Sequence, residues 1–117
     1  MLVGRSAESA RGNPVGFLAV RPRRGGIWLI ATESRIRASV LRLLGVHEMA
    51  EDAARITVPV QFLVQWDDQM VARDQSLALF DALASAEKTL HANPGKHGDV
   101  PSFEVDSSVR FFARHLS

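Results

Sequence analysis

The clearest apolar run in the chain is Val60-Gln61-Phe62-Leu63-Val64-Gln65, introduced by Val58-Pro59. Proline fits the start of a strand but not its middle, so the run predicts a β-strand ending at Gln65. The stretch Trp66-Asp67-Asp68-Gln69 follows it as a polar loop. From Arg73 to Leu83 the period changes: Leu77, Phe80 and Ala84, with Ala78 nearby, recur at helical spacing and predict an amphipathic helix. Lys88 to Ala92 reads as another short strand, and Asn93-Pro94-Gly95-Lys96-His97-Gly98 as a loop built from turn residues. Pro101 is placed to open a terminal helix that runs to about His115. Phe103, Val109, Phe112 and Leu116 supply its apolar stripe, which leaves Glu104, Asp106, Arg110 and Arg114 facing water.

Upstream the pattern is less regular. Ile36 to Leu44, closed by Gly45, carries enough β-branched and leucine content to predict a strand despite Arg37 and Arg42. His47 to Arg55 is a short helical or irregular link, and Ile27 to Ala31 a short helix ending near Ser34. Val15 to Val20 fits a strand, stopped by the proline, paired glycines and charge of Arg21-Pro22-Arg23-Arg24-Gly25-Gly26. Met1 to Asn13 has no apolar periodicity and reads as a disordered or poorly packed lead-in. Strand, helix, strand, helix in succession argues for βαβ units. The expected fold class is therefore α/β, a short, mostly parallel sheet flanked by helices. Residues 1–25 form the lead-in and residues 26–117 the folded unit.

The formal charge is +1, which gives no electrostatic reason to expect nucleic acid or an acidic membrane as partner. The exception is local: Arg5, Arg11, Arg21, Arg23 and Arg24 precede Gly25 against the single acid Glu8. Without interleaved aromatics or a recognition helix, nucleic-acid binding through the Arg21 to Arg24 cluster ranks last among the readings. The absence of cysteine excludes disulfides, thiolate chemistry and cysteine-ligated zinc. No His-Glu-x-x-His spacing occurs, so no metal is expected, and nothing calls for a cofactor. The apolar runs are too short to cross a bilayer and the start lacks a secretory h-region, so a cytoplasmic location is the expectation.

In open parallel sheets, functional groups gather beyond the C-terminal ends of the strands. Asp67 and Asp68 directly follow one predicted strand, and His97 lies in the loop after the next. A right-handed helical crossover can make those strands neighbours. An aspartate held against a histidine fixes the imidazole tautomer and stabilises its protonated form, as a nucleophile-activating base requires. Buried histidines with a carboxylate neighbour also occur as purely structural pairs, and spacing leaves both readings open.

The stretch Val58-Pro59-Val60-Gln61-Phe62-Leu63-Val64-Gln65-Trp66-Asp67-Asp68-Gln69-Met70-Val71 resembles the late strand and acid loop of α/β-hydrolases, and Gly95-Lys96-His97-Gly98 their histidine loop. The closing Phe111-Phe112-Ala113-Arg114-His115-Leu116 is similar to the family's last helix, with an overall likeness to the dienelactone-hydrolase-like branch. The resemblance covers roughly Gly26 to Ser117 and so implies the C-terminal part of that fold. It implies Asp68 as the triad acid, with Asp67 the runner-up, and His97 as the general base. Gln65 departs from the glycine often found at its position. His47, His91 and His115 read as structural or solvated, and Trp66 and Met70 either line a pocket or pack beside the acid loop.

The same resemblance calls for a Gly-x-Ser-x-Gly elbow on a strand-to-helix turn, between Val20 and Gly26. That window holds Arg21-Pro22-Arg23-Arg24, and Gly4-Arg5-Ser6-Ala7-Glu8 lacks the second glycine. The expectation is a truncated or frame-shifted hydrolase gene. The implied activity is hydrolysis of a small-molecule ester, lactone or related carbonyl bond through an acyl-enzyme, nearly lost in this chain alone. The alternative is a non-catalytic interaction module that forms a homo-oligomer through a sheet edge left unpaired before the Ile36 to Leu44 strand.

Overall fold

The computed structural model describes residues 2–4, 15–19, 30–31, 33, 35–42 and 50–116, with side-chain surroundings from Ile30 onward. The expectations for residues 21–29, 43–45 and 47–49 lie outside the described residues. Among the described residues, five strands form one sheet in chain order: β1 (Leu2–Gly4), β2 (Val15–Ala19), β3 (Ile36–Arg42), β4 (Val60–Gln65) and β5 (Lys88–Asn93). The β2–β3, β3–β4 and β4–β5 pairs are parallel, and β1 lies antiparallel on β2. The α/β class and the mostly parallel sheet expected from the sequence are both present. Leu2–Gly4, where no element was expected, pairs with Phe17 to Ala19. The edge expected at β3 is occupied by β2, and among the described residues the outer strands are β1 and β5.

Every residue of β4 is buried, as befits a central parallel strand covered on both faces. Val60, Phe62 and Val64 face a core shared with Ile56, Leu79 and Leu83. Phe62 and Phe80 meet edge to face with ring centroids 5.6 Å apart. Among the described residues the helices are α1 (Ala50–Ala53), α2 (Arg73–Ala82) and α3 (Phe103–Leu116), and Ile30 and Ala31, the end of the expected Ile27 to Ala31 helix, are helical too.

The sequence places both longer helices correctly but rotates them wrongly. On α2 the buried positions are Ser76 and Leu79, continued by Leu83, whereas Leu77 and Phe80 are half-buried and Ala84 is exposed. On α3, Phe103 and Val109 are exposed, while Glu104 and Phe111 are buried. Phe112 and Leu116 do pack, beside Phe111, against Ala38 and Val40. Glu104 does not face water, because polar partners on β5 await it there.

Local chemistry fixes where the elements end. Ser85 donates its hydroxyl to the carbonyls of Ile56 and Val58, tying the approach to β5 onto the approach to β4. Lys88 Nζ donates to the carbonyls of Phe80, Asp81 and Leu83, closing the C-terminal end of α2, where unpaired carbonyls carry partial negative charge. These contacts bring the ends of β4 and β5 level. In the β4–β5 register, Gln65 lies opposite Asn93, so the loops after both strands leave the sheet side by side.

Candidate active site

The acid loop and the histidine loop are laced together over a short span. Trp66 N–H donates to Asn93 O at 2.7 Å, Asp67 N–H to Gly95 O at 2.9 Å, and Gly95 N–H to Asp67 Oδ2 at 3.2 Å. Gln69 Oε1 accepts His97 N–H at 3.1 Å. Beneath them the fully buried Gln65 donates through Nε2 to Lys96 O at 3.0 Å. Gln65 thus supports the histidine loop from the end of β4, in the place where the resembled family often has glycine.

Gly95 lets the loop turn this tightly. Its φ is 121°, in the left-handed region that favours glycine, and a Cβ there would stand 3.1 Å from Asp99 Cβ and 3.3 Å from Gln65 Nε2. Asp99 completes the turn by accepting Lys96 N–H through Oδ2 at 3.1 Å.

This frame places His97 Nδ1 2.8 Å from Asp68 Oδ2. The Asp68 side chain is 4% exposed and the His97 ring 20%. The other oxygen, Asp68 Oδ1, accepts Met70 N–H at 2.7 Å and Val71 N–H at 2.9 Å. Burial pushes the Asp68 carboxyl up, but the Val71 and Met70 N–H groups and His97 outweigh it and hold the acid below its ordinary range. Asp68 is therefore a carboxylate and can only accept. The proton of a neutral His97 then sits on Nδ1, which leaves the Nε2 lone pair free to take one.

Asp67, the other candidate acid, is spent on the backbone of Gly95 and serves the loop. Trp66 carries the Arg73 guanidinium 4.3 Å from its ring centroid, and Met70 is largely exposed. His115 Nε2 lies 3.1 Å from Glu87 Oε2, and His47 falls outside the described residues. Among the described residues no cluster of three or more potential metal ligands occurs.

A second acid–histidine pair was not legible in the sequence. His91 Nδ1 lies 2.8 Å from Glu104 Oε1, and Asn93 Nδ2 donates to Glu104 Oε2 at 2.7 Å. Gln61 Nε2 reaches Ser108 Oγ at 3.4 Å, and Ser108 donates to Glu104 O at 2.9 Å. The alternation of His91 and Asn93 on one face of β5 was the available signal. It becomes a signal only with Glu104 buried opposite it.

The chain is similar in structure to a cold-adapted esterase from an Arctic intertidal metagenomic library, with 37% identity and a TM-score of 0.75 over 79% of this chain and 42% of that one. Its fold is of the α/β-hydrolase type. A Pyrococcus furiosus esterase superimposes with the same TM-score of 0.75 at 10% identity, over 90% of this chain and 55% of the other, which speaks to the fold alone. In sequence, 62 residues are 37% identical to the uncharacterized protein YnbC of Escherichia coli strain K12, half of this chain and 11% of that protein. The chain thus spans under half of the esterase and about a tenth of YnbC. No family model matches it.

Proposed function

We propose that this chain carries the acid and base of a nucleophile–histidine–aspartate hydrolase acting on an ester, lactone or related carbonyl bond of a small molecule. The observation that carries the reading is the 2.8 Å Asp68–His97 contact, set beyond the C-terminal ends of two adjacent parallel strands. The 37% identity to an esterase over most of this chain supports it. In this reading His97 Nε2 takes the nucleophile's proton and returns it to the leaving group. Asp68 stabilises the imidazolium formed in between. The dienelactone-hydrolase-like branch is the subtype we favour. Residues 26–117 form the C-terminal part of the hydrolase domain, its sheet extended by β1 and β2 from the preceding segment, and the setting is cytoplasmic, with no nucleic-acid or membrane partner. Among the described residues, no helix is long and apolar enough to cross a membrane.

The elbow is what the chain lacks. Between β2 and residue 26, where the nucleophile belongs, stand Arg21-Pro22-Arg23-Arg24, and a protonated guanidinium cannot attack a carbonyl. Loss of a triad nucleophile costs on the order of 10⁴ to 10⁶ in rate, so this chain alone is nearly inert as an esterase. Hydrolysis of p-nitrophenyl acetate by the wild type and by His97→Ala tests this directly: equal rates are expected, and turnover that His97→Ala abolishes would overturn it. Translating the nucleotide sequence upstream of the Gly25 codon in all three forward frames tests the origin of the gap. A disrupted hydrolase predicts Gly-x-Ser-x-Gly, or its cysteine variant, in a neighbouring frame.

The second reading, a non-catalytic module that pairs with its own copy, draws on β5. That strand is the last in the sheet order, and Leu90 on it is exposed. Light scattering separates the two readings, since pairing of this kind predicts a dimer that dilution dissociates.

A further inference from the structure

A hollow of about 300 Å³ lies between β5 and α3, walled by Thr89, His91, Ser107, Arg110 and Arg114 over Phe111. Thr89 and His91 are two residues apart on the strand and project to the same side of the sheet. Ser107, Arg110 and Arg114 follow at i, i+3 and i+7 and share one side of the helix. The wall holds two guanidinium groups, two hydroxyls, the His91 imidazole and the Gln61 amide, with no carboxylate among its lining residues.

Two of the acids nearby, Glu104 and Glu87, already have partners. Glu104, 2% exposed, takes His91 Nδ1 and Asn93 Nδ2, so His91 Nε2 is the ring nitrogen left for a ligand. Glu87 Oε2 meets Arg114 Nη2 at 3.2 Å and His115 Nε2 at 3.1 Å. Arg110 has no ion pair among the described residues. Its planar fork matches the oxygen spacing of a carboxylate or a phosphate.

We propose that this hollow is a binding site for a small oxyanion, a carboxylate or a phosphoryl group, held by Arg110 with Thr89 and Ser107 as supporting donors and His91 beside them. The site is separate from the Asp68–His97 pair and does not depend on the hydrolase reading.

Titration of the full chain with inorganic phosphate, and separately with acetate, at constant ionic strength tests the proposal through the histidine ring signals in NMR. Saturable shifts of the His91 resonances, with those of His97 unmoved, are expected. Saturation by phosphate alone assigns a phosphoryl ligand and by acetate alone a carboxylate, and either supports the site. Arg110→Gln alters an exposed side chain and leaves the fold intact, and it should weaken binding on the order of tenfold or more, as loss of a charge-assisted bond does. Shifts that never saturate with either anion, or an unchanged midpoint in Arg110→Gln, would overturn it.

Discussion

Replacing Asp68 separates what the acid does for the loop from what it does for the histidine. Asp68→Asn keeps a carbonyl oxygen to accept the Met70 and Val71 N–H groups, now at 2.7 and 2.9 Å, but turns an amide donor toward His97 Nδ1. Only the charge and one charge-assisted bond are lost, about 1.5 to 3 kcal/mol for so buried a group. Asp68→Ala removes both functions and leaves two backbone donors without partners, which raises the cost to about 3 to 5 kcal/mol. Against a total stability of ~5 to 15 kcal/mol, either loss is readily measured. Urea unfolding followed by circular dichroism at neutral pH gives both values. The sign of the pH dependence follows from the lowered Asp68 carboxyl. Its contribution is complete above the unfolded value of ~3.9 and is lost as pH falls through the lower folded value. Asp68→Asn should therefore flatten the fall in wild-type stability below about pH 4. Equal stability of wild type and Asp68→Asn at neutral pH, with equal acid slopes, would refute the reasoning.

Four further substitutions follow from the same geometry. Gly95→Ala forces a Cβ into the left-handed region and against Asp99, and should destabilise by about 1 to 3 kcal/mol by thermal melting, whereas Gly98→Ala, with nothing within 4 Å of its Cβ position, should change little. Glu104→Ala strips the partner from His91 and Asn93 inside the α3 contact, and should cost about 3 to 5 kcal/mol in urea unfolding. Lys88→Met keeps the apolar stem but releases three carbonyls at the end of α2, and a loss of about 1 kcal/mol by the same assay is expected, diminishing little with salt.

What the sequence disclosed follows the strength of local signals. β4 is buried on both faces, so its run of Val, Phe and Leu needed no partner to be read, and Pro59 fixed its start. The Asp68 and His97 loops were legible because each follows a strand end directly. Helix rotation was not, because it is decided by what lies opposite. Apolar residues at 103, 109, 112 and 116 outline one face of α3, yet the sheet offers His91 and Asn93, and burying Glu104 against them turns Phe103 and Val109 outward. On α2 the same competition selects Ser76, Leu79 and Leu83 over Leu77 and Ala84. Three residues of β1 carry too little pattern to be seen at all, and only pairing with β2 defines them. Gln65 could be marked as a departure from the resembled family, but its bond to Lys96 O depends on a loop geometry that only the fold supplies.

The central claim is that Asp68 holds His97 as a base with its free lone pair on Nε2. Long-range ¹H–¹⁵N correlation of the imidazole nitrogens, recorded where the ring is neutral, tests it without requiring turnover. The account predicts a protonated Nδ1 and an unprotonated Nε2 for His97, exchanging roles in Asp68→Asn. A proton resident on Nε2 in the wild type, or a tautomer indifferent to Asp68→Asn, would contradict it.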